Sequence, residues 1–130
     1  MKEPNALKQV IVVRRDLRMR QGKACSQSSH ASGEFMRQAL LAVIDGKPHD
    51  LSDIEIEWMR SGMAKITLRT DSPEQFEAIR DQAITKGLKV HVITDSGATE
   101  FHGVPTVTAL AIGPDRAGTI DKVTGDLDLL

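Results

Sequence analysis

The sequence predicts a single α/β domain spanning residues 1–130, a sandwich in which helices cover a mixed β-sheet of about four strands. Two observations carry that expectation. Short β-branched or alternating runs take turns with stretches of helical periodicity along the chain. A length of 130 residues, with 40% apolar and 27% charged residues, is ordinary globular usage and enough for one core.

Gln9, Val10, Ile11, Val12 and Val13 form a continuous strand-forming run, as a central strand buried on both faces requires. From about Lys23 to Ile44, Ala24, Ser28, Ala31, Phe35, Ala39 and Val43 recur at intervals of three and four, which defines one face of a helix. Asp45, Gly46, Lys47 and Pro48 break that helix. Ser52 and Glu55 then make a capping box for a short helix running to Arg60. Residues 63–70 alternate Ala64, Ile66 and Leu68 with Lys65, Thr67 and Arg69, the pattern of a half-exposed strand. Ser72, Pro73 and Gln75 start another helix, which Gly87 ends. Residues 90–94 and 107–112 supply two more strands, and the strand-helix-strand order predicts a right-handed parallel crossover for the middle pair. The polar stretch 95–105 is too long for a tight hairpin, so it is expected to present side chains at one end of the sheet.

No stretch approaches the roughly 20 apolar residues of a membrane span, and residues 1–5 lack the apolar run of a signal peptide. The lone Cys25 has no partner for an internal disulfide; with the missing signal this predicts a cytoplasmic location. Net charge is −1, yet Arg14, Arg15, Arg18, Arg20 and Lys23 lie within ten residues opposed only by Asp16. This segment reads either as a solvated basic loop or as a set of phosphate contacts. With 3% aromatics and no tyrosine, any nucleic acid is expected to be held by its backbone rather than by base stacking.

Gly22 and Lys23 do not form a phosphate loop, because Leu17 stands where that motif needs its first glycine and Ala24 where it needs Ser or Thr. His30, His49, His91 and His102 show no metal-ligand spacing, so neither a metal nor another cofactor is expected. Cys25 lacks a catalytic signature and is expected to pack structurally. Polar residues at predicted element ends remain: Lys23, Asp95, Thr99 and Thr108. Asp95 before Ser96 and Gly97 also suits a plain turn residue, and His30 a packed one.

The run Val12-Val13-Arg14-Arg15-Asp16-Leu17-Arg18-Met19, followed by Gly22-Lys23-Ala24 and Gln27-Ser28-Ser29-His30-Ala31, resembles the opening signature of the type-2 peptidyl-tRNA hydrolases. Asp95-Ser96-Gly97-Ala98-Thr99 and the run from Thr106 to Pro114 resemble the second signature, and the run from Asp121 to Leu130 the C-terminus. The resemblance spans nearly the whole chain from Lys8 onward. It implies an α/β sandwich on a four-stranded mixed sheet, often dimeric, with metal-independent activity on tRNA carrying a peptidyl or N-blocked aminoacyl group. It also implies that Lys23, Asp95, Thr99 and Thr108 are the active-site residues, with Gln27 and His30 beside them. Ala98 and Glu100 depart from it, standing where many members carry a basic residue and a glutamine, and the 101–105 stretch is one residue longer.

The expected activity is therefore hydrolysis of the ester that joins a peptide to tRNA, freeing the tRNA for reuse. Asp95 would position or activate water, a role that needs local tuning of its carboxyl; Lys23 would stabilise the oxyanion or hold the terminal phosphate. Arg14, Arg15, Arg18 and Arg20 would contact tRNA phosphates. A second reading, from a different class, is a catalytically weak relative that binds tRNA or a protein; a third is an esterase for another aminoacyl conjugate. A homodimer is expected from the resemblance, and no membrane partner.

Overall fold

The computed structural model describes residues 3–130. The strands are β1 (Leu7–Arg14), β2 (Lys65–Thr70), β3 (Val90–Asp95) and β4 (Thr106–Arg116), and the helices are α1 (Gln21–Ile44), α2 (Asp53–Arg60), α3 (Pro73–Thr85) and α4 (Ala117–Thr124). They form one four-stranded sheet in the order β2-β1-β4-β3. β1 pairs parallel with β2 and antiparallel with β4, which pairs antiparallel with β3.

Composition explains that order. β1 and β4 are the apolar runs, and their central residues are almost completely buried, so they occupy the middle of the sheet. β2 alternates apolar with charged or polar residues and takes one edge; β3, with exposed Val92 and Thr94, takes the other. β2 and β3 therefore run in the same direction, but they are opposite edges, not the adjacent pair that the strand-helix-strand order suggests. The adjacent parallel pair is β1 and β2, and the crossover between them carries α1 and α2.

One face of the sheet packs Val10, Val12, Leu110 and Ile112 against Phe76 and Ile79 of α3 and Ile120 and Val123 of α4. On the other, Ile11, Val13, Ala109 and Ala111 meet Ala24 and Ala31 of α1, where small residues let the helix approach closely. α2 lies beside α1, with the ring of buried Trp58 edge-on to Phe35 at 5.8 Å and its indole N–H donating to the Ala64 carbonyl at 2.9 Å. Val43 was expected on the buried face of α1 but is 53% exposed. The physical reason is length: 24 helical residues reach about 36 Å, whereas the eight of β1 reach about 26 Å, so the last turns overrun the sheet.

The caps form as the sequence indicates. Ser52 accepts the Glu55 N–H while the buried Glu55 carboxylate accepts the Ser52 N–H and the Lys89 ammonium. At the end of α3, Gly87 adopts φ +77° while the Leu88 and Gly87 N–H groups return to the carbonyls of Ala83 and Ile84. α4 was not anticipated: Gly118 and Thr119 are poor helix formers, and burial of Ile120 and Val123 holds it. Among the described residues no helix is long and apolar enough to cross a membrane.

Candidate active site

β1, β2 and β3 end on the same side of the sheet, at Arg14, Thr70 and Asp95, where β4 begins. After β1 a short 3-10 turn (Arg15–Leu17) and the left-handed Arg18 (φ 53°) reverse the chain, so that the first turn of α1 starts beside the end of β3. This reversal brings Lys23 to Asp95, although 72 positions separate them.

The Lys23 ammonium donates to Asp95 Oδ1 at 2.9 Å and to Thr99 Oγ1 at 2.7 Å, and the side chains of Lys23 and Asp95 are each 13% exposed. One turn along α1, the buried Gln27 donates to Asp95 Oδ1 at 3.4 Å and accepts the Thr108 hydroxyl at 2.5 Å. A bulge makes the last contact possible. Val107 lies opposite Thr94 and Ala109 opposite Ile93, which leaves Thr108 without a partner and turns both Thr108 and Ala109 toward α1. All four residues expected to be catalytic thus share one network, Thr108–Gln27–Asp95–Lys23–Thr99.

Asp95 also does what its sequence context suggested for a turn residue: its Oδ2 accepts the Gly97 N–H at 2.9 Å. Gly97 has φ +85°, and a Cβ there would lie 2.2 Å from the Val104 carbonyl oxygen, so only glycine fits where the loop folds back on itself. The Lys23 ammonium and the Gly97 amide, helped by Gln27, hold the Asp95 carboxyl below the usual carboxylate range, while partial burial opposes them. The tuning therefore favours a permanently ionised group, opposite to what a strong general base needs.

His30 is exposed, not packed. It lines a groove of about 340 Å³ between α1 and β3, together with Gln27, Glu34, Arg37 and β3 residues up to Asp95. Cys25 is also exposed, contrary to its expected packing, because it sits one residue beyond the stripe of Ala24, Ser28 and Ala31 that faces the sheet.

The arginines separate into two kinds. Arg14 donates twice to the Asp16 carboxylate, at 2.8 and 3.3 Å, and once to the Val107 carbonyl at 2.9 Å, so its guanidinium is used inside the fold. Arg15, Arg18 and Arg20 are exposed, and Arg15 and Arg18 line a cleft of about 550 Å³ that reaches Met19 and Ala24 beside the site. Arg20 Nε lies 3.6 Å from Glu100 Oε1, and Glu100 also accepts the Arg20 N–H at the start of α1. Phe101 places its ring centroid 6.0 Å from the Lys23 ammonium. This contact of Phe101 was not anticipated, whereas the clamp from Gly97 is the bond to a nearby backbone amide that the Asp-Ser-Gly order indicated. Among the described residues no group of three or more His, Cys, Asp or Glu side chains is placed to hold a metal ion.

The family model described as peptidyl-tRNA hydrolase PTH2 matches residues 7–130. The chain belongs to that family. It is 42% identical over 124 residues to a peptidyl-tRNA hydrolase of Methanopyrus kandleri, covering 95% of this chain and 97% of the relative. It is 38% identical to one of Aeropyrum pernix, covering 94% of each chain. A probable peptidyl-tRNA hydrolase 2 of Schizosaccharomyces pombe matches at 38% identity over 94% of this chain and 55% of its own length. A solved Agrobacterium tumefaciens protein of unknown function, 11% identical, superposes with a TM-score of 0.51 over 95% of this chain and 97% of its own, which is a likeness of fold alone. Glu100, which the sequence resemblance marked as a departure, places its carboxylate where it offsets the charge of Arg20 at the start of α1.

Proposed function

We propose that this family member hydrolyses the ester joining a peptide, or an N-blocked aminoacyl group, to tRNA, with Lys23, Asp95 and Thr99 as its catalytic residues and Thr108 positioning Gln27 behind them. The observation that carries the assignment is the ammonium of Lys23 held between Asp95 and Thr99, with the groove that Asp95 and Gln27 line beside it. An ammonium has three protons, and two are committed to those partners. The third is available to the ester oxygen as it becomes an oxyanion. Asp95, ionised and bonded on both oxygens, orients the attacking water by its charge, and the water's proton passes to the departing ribose oxygen as the acyl–oxygen bond breaks. Thr99 holds the Lys23 ammonium from the loop side, and Thr108, fully buried, acts only through Gln27, to which it donates its hydroxyl. Gln27 positions Thr108 and Asp95 relative to each other, and His30 borders the groove.

Arg15, Arg18 and Arg20 offer exposed guanidinium groups to tRNA phosphates, whereas the charge of Arg14 is balanced by Asp16 within the fold. A cytoplasmic setting belongs to this reading and fits an exposed, unpaired Cys25. So does a homodimer, supported by Leu40, Leu41, Val43 and Ile44 exposed together at the end of α1. The test is release of labelled N-acetyl-aminoacyl product from tRNA by the purified protein in chelator. Turnover well above a buffer blank is expected. Tight tRNA binding with no release would replace the enzyme by the binding relative, a reading that the Glu100–Arg20 pair does not favour, because it weakens the basic surface.

A further inference from the structure

We propose that the open edge of β3 binds the peptide of the substrate as an added strand, an inference that rests on the hydrolase reading above. Among the described residues the only strand paired with β3 is β4. The Gly113 N–H donates to the Lys89 carbonyl, so Lys89 and Gly113 are a directly bonded pair. From there the register runs without interruption through Val90–Ile112, His91–Ala111 and Val92–Leu110. Bonded and unbonded pairs alternate in an antiparallel ladder, so His91 is bonded to β4 and Val92 is not. The N–H and C=O of Val92 therefore point away from the sheet.

This edge lacks the usual protection. Val92 is 39% exposed, and no proline or charged side chain interrupts β3 between Val90 and Thr94, where solvent-facing edges normally carry one. The strand leads directly into Asp95, and the groove of about 340 Å³ between β3 and α1 runs alongside it. A peptide whose ester carbonyl reaches Asp95 extends back along β3 and runs parallel to it. Val92 lies three residues before Asp95, or about 10 Å at the rise of a strand. An N-acetyl-aminoacyl group is too short to reach Val92, whereas a peptide of four or more residues is long enough. Recognition through the backbone is indifferent to side chains, which suits an enzyme whose substrates carry arbitrary peptides.

The experiment compares kcat/KM of the intact protein on N-acetyl-aminoacyl-tRNA and on tetrapeptidyl-tRNA ending in the same residue. Two added backbone bonds are expected to raise kcat/KM about tenfold for the longer substrate. N-methylation at the one peptide amide that faces the Val92 carbonyl should abolish that gain, while methylation of its neighbours should not. Val92→Pro removes the outward N–H and leaves the ladder to β4 intact, so the ratio of the two kcat/KM values should fall toward one. Equal values for the two substrates with the wild-type protein, or a gain insensitive to N-methylation at every position, would overturn the proposal and leave the hydrolase reading in place. Failure to cleave even the short substrate would overturn both. A Val92→Pro protein that changes from dimer to monomer while keeping the wild-type ratio would assign the edge to a second copy of the chain and overturn the peptide subsite.

Discussion

Asp95 accepts three hydrogen bonds, from Lys23, Gln27 and Gly97, and each favours its ionised form. Asp95→Asn keeps the size of the side chain and removes the charge that orients water. It is expected to lower single-turnover cleavage about 100-fold or more while changing tRNA affinity far less. The pH dependence follows from the same bonds. Because folding lowers the Asp95 pKa, the stabilisation from its bonds is fully present above the ordinary carboxyl value of about 3.9 and is lost as pH falls through the lower folded value. A carbon-13 titration of the Asp95 carboxyl in the folded protein should show a midpoint below about 3.9. A midpoint near 6 would instead make Asp95 a conventional general base and remove the Lys23 clamp from the account.

At the scale of elements, the loop from β3 to β4 depends on Gly97. Gly97→Ala places a Cβ against the Val104 backbone at a positive φ, so the loop must shift and the amide bonded to Asp95 shifts with it. The substitution is expected to cost roughly 1–3 kcal/mol in urea unfolding and to depress cleavage more than tRNA binding. Sequence patterns were legible where they are local. The capping box at Ser52, the helix start at Ser72 and the stop at Gly87 each depend on residues within one turn, and all three formed. The buried character of β1 and β4 was equally plain. The bulge at Thr108 was not, because it depends on register with β3, and α4 was not, because its stability comes from the core it completes. The convergence of Lys23, Asp95, Thr99 and Thr108 into one network was legible through their residue signatures. Gln27 was placed beside them by the same signatures and Gly97 by the turn sequence, but which atoms they bond required the fold.

At the scale of the whole molecule, a net charge of −1 is compatible with tRNA binding only if the positive charge is gathered on one surface. Arg15 and Arg18 do this beside the site, whereas Arg14 has been drawn into the fold, a distinction that the run of arginines could not reveal because it depends on where Asp16 and Val107 lie. Arg18→Ala is expected to lower the logarithmic salt slope of tRNA binding by about 0.7–0.9. Arg14→Ala should mainly destabilise the protein, by roughly 1–3 kcal/mol in urea unfolding. Equal salt slopes for wild type and Arg18→Ala would reject this phosphate contact. The shared site itself is tested most directly by single-turnover cleavage of N-acetyl-aminoacyl-tRNA at saturating enzyme, with tRNA affinity measured on the same samples of wild type and Lys23→Ala. The account predicts that Lys23→Ala still binds tRNA but cleaves it about 100-fold more slowly or worse, having lost the oxyanion donor. Wild-type cleavage by a correctly folded Lys23→Ala protein would contradict it.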